Sequence, residues 1–373
     1  MNHFFPSIGG VQWSVRRTAE ALVRRGHEVT VVTETPADAS TNDDTAPFTV
    51  RRFHVPRRRP FTRLCYWRWM WTQRAFFNAA DVLHFHDSIP YFAWFLPLRL
   101  VVRRPRYAVT FHGYERWPIQ TPQRWVRAIT ARSCHVRFAV GEYIRQLYRH
   151  PVDAVYIGAP VRWPERLDER AGGVFAYAGR LSADTEILPL LRALSRAVDR
   201  ADTVMTPPVI VHLAGEGPLR EEIAGLGSDR LRIEFHGARM DTTGFYRDAR
   251  CIIATGFLGI FEAFASGIPV IVPAFNPLRR AYVASIPDAE RLLTMVRTEE
   301  ESVAVFAAHL ADRDRATRSA RADAAHAFVS HLSWDDIADL YLQWYGPAES
   351  GTARAVTQWQ VMNQRIDRTH AHR

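Results

Sequence analysis

Residues 250–273 read Arg250-Cys251-Ile252-Ile253-Ala254-Thr255-Gly256-Phe257-Leu258-Gly259-Ile260-Phe261-Glu262-Ala263-Phe264-Ala265-Ser266-Gly267-Ile268-Pro269-Val270-Ile271-Val272-Pro273. Cys251 to Ala254 and Ile268 to Val272 are short apolar runs bounded by glycine and proline, which predicts two strands buried on both faces. Between them the spacing predicts a glycine-bearing turn and a short helix carrying Glu262 to Ala265. Gly256 and Gly259 let backbone approach a ligand closely, and a helix starting there presents free N–H groups and a positive dipole end. Strand, turn and helix N-terminus together make an anion site.

A carboxylate in the first turns of such a helix can accept paired hydrogen bonds from vicinal ribose hydroxyls while the turn holds phosphate. Taken alone, Glu262 equally fits a side chain that complements the helix dipole, worth about 0.3–1 kcal/mol. The order from Glu262 to Ile271 resembles the end of the donor-binding motif of GT4-type (group 1) retaining glycosyltransferases. These have the GT-B fold, an α/β architecture of two facing Rossmann-like domains with a central cleft. The family pairs two glutamates here; Glu262 matches the ribose-binding second one, and the sugar-binding first one falls on Ala254.

The 373 residues are 47% hydrophobic, enough to bury a sizeable core and to make two domains. Cys65, Cys134 and Cys251 form no Cys-x-x-Cys pair and suit a reduced, cytoplasmic compartment. The net charge of +9 comes entirely from arginine, since lysine is absent. Arginine binds phosphate in a bidentate way, so the excess suits nucleotide diphosphates, anionic lipid surfaces or nucleic acid.

Val11, Val15, Ala19 and Leu22 share one face of a predicted helix that Gly26 stops, and His27 to Thr33 follow as a strand. The preceding Gly9-Gly10 resembles the family turn whose backbone faces the donor phosphates. A doubly wound domain opens with a buried strand before such a turn, yet only Met1 to Phe5 precede Pro6. The expectation is that the true start lies upstream, or that the strand was lost.

Residues 51–80 interleave arginines with Phe61, Tyr66, Trp67, Trp69, Trp71, Phe76 and Phe77. Such a segment suits either an anionic membrane interface or a packing helix with an arginine rim. Nucleic-acid stacking rests on this segment alone and is not expected. Ile89 to Val102 is too short and too interrupted by proline and arginine to span a bilayer. Asp81 to Asp87 and Tyr107 to Glu115 each predict a strand with polar residues at its C-terminal end, where open α/β sheets bind ligands. His84 and His86 share a strand face; without a third partner at ligand spacing they read as core or cleft residues, not metal ligands. Thr110-Phe111-His112-Gly113 resembles the family's acceptor-side loop, which maps His112 onto a histidine contacting the donor sugar and makes His86 and Glu115 acceptor-side candidates. Phe138 to Ile144 resembles the last strand and loop of the first domain, and Glu142 there equally suits the start of the next helix.

A linker near Pro151 to Arg166 leads to Gly173 to Leu181, which resembles the family's strand followed by Gly-Arg-Leu; Arg180 then maps onto the arginine gripping the diphosphate. The family's lysine and glycine beyond it fall on Thr185 and Glu186, so with Ala254 two charged donor contacts differ. Each lost buried charge-assisted bond would cost about 1.5–3 kcal/mol. Gly215-Glu216-Gly217-Pro218 resembles another family turn, and backbone near Ala238 and Arg239 is implied to read the base. Asp312-x-Asp314 sits in a charged helical stretch and reads as solvated. Residues 299–331 and 333–345 predict helices, with Ser333 as N-cap.

The expected domains are residues 1–155 on the acceptor side, 156–332 for nucleotide sugar, and 333–373 as a cross-over helix with a basic tail. The resemblance implies retaining transfer of a hexosyl unit from a nucleotide sugar to a glycan or lipid-linked acceptor. His112 and Glu262 would be catalytic. Gly9, Gly10, Arg180, Thr185, Ala238, Arg239, Gly256, Phe257, Leu258, Gly259 and Glu262 would bind the donor, with no metal or cofactor. The protein would be cytoplasmic, or peripheral on the inner face of the membrane. A decayed GT-B protein that binds nucleotide or partners without turnover, and a nucleotide-sugar epimerase on the same fold, stay open.

Overall fold

The computed structural model spans the chain and describes all residues except 2, 35–45, 55–60, 114–116, 162–166, 168–172, 202–207, 240–241, 243–244, 314 and 347–373. Glu115, Asp314, parts of the linker and of the basic aromatic segment, and the tail after Gly346 therefore lie outside the described residues. The chain divides into two compact units, Met1–Gly158 with the chain from Ser333 onward, and Ala159–Leu332.

In the first unit helix α1 (Gly10–Arg24) buries Val15, Ala19 and Leu22. Gly26, at φ +83°, reverses the chain after it. Strands β1 (Thr30–Thr33) and β2 (Thr49–Arg52) form a parallel pair. Helices α2 (Thr62–Thr72) and α3 (Arg74–Ala79) follow. They are amphipathic only in part: Tyr66, Met70 and Phe77 are buried, while Phe61, Leu64 and Trp71 face solvent. Tyr66 stacks on Trp94 and Trp69 on Phe53, so the packing-helix reading accounts for that face.

A second parallel sheet runs in chain order through β3 (Val82–His86), β4 (Arg106–Phe111), β5 (Val136–Val140) and β6 (Ala154–Tyr156), with α4 (Thr121–Ser133) and α5 (Glu142–Tyr148) as crossovers. Glu142 occupies the first turn of α5 and pairs with Arg145. Among the described residues no ladder joins β1 to β3. A cavity of about 570 Å³ lies there, lined by residues including Val31, Val32, Leu83 and Phe85. The Met1 nitrogen donates to the Val32 carbonyl at 2.9 Å.

The second unit is one parallel sheet. Its strands are β7 (Val174–Ala178), β8 (Val209–Ala214), β9 (Leu231–Phe235), β10 (Cys251–Ile253), β11 (Val270–Pro273) and β12 (Thr294–Val296), in spatial order β12-β11-β10-β7-β8-β9. Read from β9, this is the third-second-first-fourth-fifth-sixth order of a dinucleotide-binding sheet, with its switch point between β7 and β10. The two apolar runs of the quoted stretch become β10 and β11, buried at every position. Helix α6 (Ile187–Asp199) seats Leu190, Leu191, Leu194 and Val198 in the core. Helix α7 (Arg220–Ala224) follows β8, and α8 (Phe257–Ser266) follows β10.

The helix expected over 299–331 is two, α11 (Glu299–Leu310) and α12 (Arg315–Val329), after the short α9 (Pro277–Val283) and α10 (Ala289–Leu292). The break comes at Asp312, in the left-handed region at φ 51°. Asp312 is an ion-pair hub and not simply solvated: its carboxylate accepts from Arg250 and, at 2.8 Å, from Arg318. The last helix, α13 (Trp334–Tyr345), is capped by Ser333 as expected and belongs to the first unit. There Tyr341 bonds Thr110 at 3.0 Å and Tyr156 at 2.7 Å, and Arg25 pairs with Asp335 and Asp339.

Candidate functional site

In the second unit the switch point is built from the ends of β7 and β10. Gly179 donates to the Ala214 carbonyl, Leu181 donates to that of Glu216, and Leu219 donates back to Leu181. The Gly215–Pro218 turn therefore lies directly on the loop carrying Arg180. A Cβ at Gly215 would overlap the Gly179 carbonyl, and one at Gly217 that of Leu181. That is why this turn needs its glycines. Tyr177 closes the bottom of the crevice, its hydroxyl donating to the Arg180 carbonyl at 2.7 Å and lying 3.3 Å from Thr255 Oγ1.

Helix α8 starts at Phe257 with extended Gly256 as N-cap, so Gly259 sits inside the first helical turn instead of in the loop before it. The Phe257 N–H donates to Tyr282, whose ring stacks on Phe257 at 4.0 Å, and Ile260 closes onto Gly256. The N–H groups of Leu258 and Gly259 lie in the first turn of α8, where no intrahelical acceptor is available. Ala254 at the end of β10 is 2% exposed and brings only a methyl group. Glu262, one turn further along α8, accepts from the Thr242 hydroxyl at 2.8 Å.

Arg180 points a largely exposed guanidinium at Asp184, 2.6 Å away, and Ser182 holds the other Asp184 oxygen. Thr185 is buried, its hydroxyl spent on the Ser182 carbonyl at 2.7 Å. Glu186 keeps the left-handed backbone, φ 58°, that a glycine would take without strain. Its carboxylate accepts from the Phe275 N–H and the Asn276 amide, and burial pushes it above the usual carboxylate range. Ala238 and Arg239 are exposed after β9, where Gly237 turns the chain at φ +67°.

In the first unit the C-terminal ends of β3 and β4 bring His84, His86 and His112 together. The His84 and His86 rings stack at 4.6 Å, and His86 Nδ1 lies 2.8 Å from His112 Nε2. His84 bonds Tyr345 at 2.5 Å and Thr110 at 2.8 Å. Burial lowers His84 and His112 to about 3 and puts His86 well below its ordinary value. Asp87, which the sequence did not single out, holds φ 68° and accepts from the His112 backbone N–H at 3.2 Å. Arg127 Nη1 stands 3.7 Å from the Asp87 carboxylate, and burial raises the carboxyl's pKa. Gly9 is the extended N-cap of α1, and Gly10 opens that helix exposed.

Residues 8–158 match the model of Glycosyltransferase Family 4. That stretch lies within the first unit. The chain has the GT-B fold, shared with a Rickettsia africae glycosyltransferase at TM-score 0.68 and 15% identity, covering 92% of this chain and 96% of that one. Anabaena HepE, solved with UDP and glucose, is similar at TM-score 0.71 and 14% identity, over 92% and 97% of the two chains. The lipopolysaccharide outer core galactosyltransferase WaaB follows at 0.60 and 10%, over 92% and 98%. No curated protein matches the sequence, and no helix of the described residues is long and apolar enough to cross a membrane.

Proposed function

We propose that this chain acts as a GT4-type glycosyltransferase, transferring a hexosyl unit from a nucleotide diphosphate sugar to a glycan or lipid-linked acceptor, with retention. The supporting observation is the switch point between β7 and β10, where the start of α8, the Arg180 loop and Glu262 meet. Gly256, Phe257, Leu258 and Gly259 hold the diphosphate on the helix N-terminus. Arg180 leaves Asp184 to grip it, Glu262 anchors the ribose, and backbone at Ala238 and Arg239 reads the base. Charge on the departing diphosphate is met by N–H groups already in place at the start of α8 and by the guanidinium that swings from Asp184, so the reaction asks for no metal or prosthetic group. His112 positions the donor sugar, Gly9 and Gly10 face its phosphates, and His86 and Glu115 serve the acceptor. HepE, solved with UDP and glucose, supports a nucleotide sugar as donor. We assign the protein to the cytoplasmic side, with exposed Phe61, Leu64 and Trp71 against an anionic membrane.

Two observations favour a second reading, nucleotide binding without turnover: the buried methyl of Ala254 and the backbone-bound hydroxyl of Thr185. Release of nucleoside diphosphate from UDP, GDP and ADP sugars, beside a Glu262→Ala control, separates the two. Turnover that depends on Glu262 supports transfer; donor binding with no release from any acceptor mixture supports the second reading.

A further inference from the structure

The second unit carries a cluster that the donor reading does not use. His212 on β8 and Glu234 on β9 are register partners across the ladder, and His236 lies two residues beyond Glu234, on the same sheet face by strand alternation. His212 Nδ1 lies 3.0 Å from His236 Nε2 and 3.2 Å from Glu234 Oε2, which is 3.9 Å from His236 Nε2. A triangle with those edges has a centre about 2.0 Å from each corner, the length of a zinc–nitrogen or zinc–oxygen bond.

We propose that His212, Glu234 and His236 form a binding site for one borderline divalent cation of the zinc class, with a fourth position open. Two imidazoles and a carboxylate are the donor set such ions take with an exchangeable fourth ligand. The site is held in advance on rigid elements. Both histidines stand on or next to paired strands, with the His236 N–H donating to Leu213 at 2.8 Å. Phe245 packs edge-on against both rings, at 6.1 and 5.4 Å. Arg232 Nε binds Glu234 Oε1 at 2.9 Å, which turns Oε2 toward the histidines in the manner of an outer-shell partner. All three ligands are half-buried, so an ion in solution can reach them. Arg232, and Arg239 whose charge acts on His236, set a positive background that moderates affinity. A bound cation would pin the start of the Gly237–Arg239 loop. The assignment rests on this geometry and not on the donor reading.

The test uses the untagged full-length chain, stripped with EDTA and titrated at neutral pH with Co²⁺ and then Zn²⁺. One Co²⁺ per chain is expected, with the visible d–d absorption of a low-coordinate nitrogen and oxygen site that Zn²⁺ abolishes. His212→Ala should remove it. Glu234→Gln, which preserves shape, should weaken affinity at least tenfold while circular dichroism stays unchanged. The absence of one-to-one binding, or wild-type affinity in a folded Glu234→Gln protein, would overturn the assignment, whatever the transferase assay gives.

Discussion

The ring nitrogens of His86 and His112 face each other at 2.8 Å between the ends of two adjacent strands, in a pocket that holds both rings neutral. His84 stacks on His86. Folded-state values near 3 for His84 and His112, from burial, lie below the unfolded value near 6.5. The unfolded chain therefore binds more protons once pH drops under about 6.5. Stability is full above that pH and falls as pH moves toward 3, by up to about 1.4 kcal/mol per unit for each histidine. Urea midpoints measured from pH 7.5 to 4.5 should decline steadily; a flat profile would contradict the buried neutral cluster.

Glu262 sits on α8 with Thr242 on one carboxylate oxygen. Glu262→Gln removes a charged acceptor but keeps the shape. Loss of one charge-assisted bond, about 1.5–3 kcal/mol, predicts a roughly ten- to hundredfold fall in kcat/KM for the sugar donor. Steady-state kinetics check it, and an unchanged kcat/KM would remove Glu262 from the donor site.

Gly215 has φ +154° and abuts the Gly179 carbonyl. Gly215→Ala should therefore displace the Arg180 loop, destabilising the second unit by about 1–3 kcal/mol. Nucleotide affinity should fall with it. Thermal melts and UDP titration report the two effects.

Tyr341 offers its hydroxyl to Thr110 and Tyr156 from a fully buried position. Tyr341→Phe leaves two buried hydroxyls short of a partner, at a cost of about 1–3 kcal/mol. Arg24→Ala should cost under about 1 kcal/mol, because its pair with Asp335 is exposed. Reversal of that order in denaturation experiments would show that the charged edge, not the tyrosine, fixes α13.

Local pattern carried much of the fold. The runs around Ile252 and Ile271 are doubly buried strands, and the glycines at 215 and 217 mark a turn where backbone meets backbone. Ser333 spells its own cap. What sequence spacing could not show is convergence across strands. Glu234 and His236 look like surface residues of an ordinary β-strand until the ladder sets them opposite His212. Asp87 was visible only as the residue after His86; its left-handed backbone and the Arg127 beside it come from tertiary packing. Gly259 reads as a turn residue that lets backbone approach a ligand, yet α8 begins at Phe257 and takes it into the first helical turn despite glycine's poor helix propensity.

Helix α13 completes the first unit although the chain reaches it only after the whole second unit, and the Arg25–Asp335 pair closes over 310 residues. During synthesis the amino-terminal half therefore emerges without the tyrosines that cover His84 and Thr110. It must wait, with that surface bare, until the whole second unit has been made. The second unit is contiguous and can settle as soon as it is made, so the part of the protein written first is the part finished last.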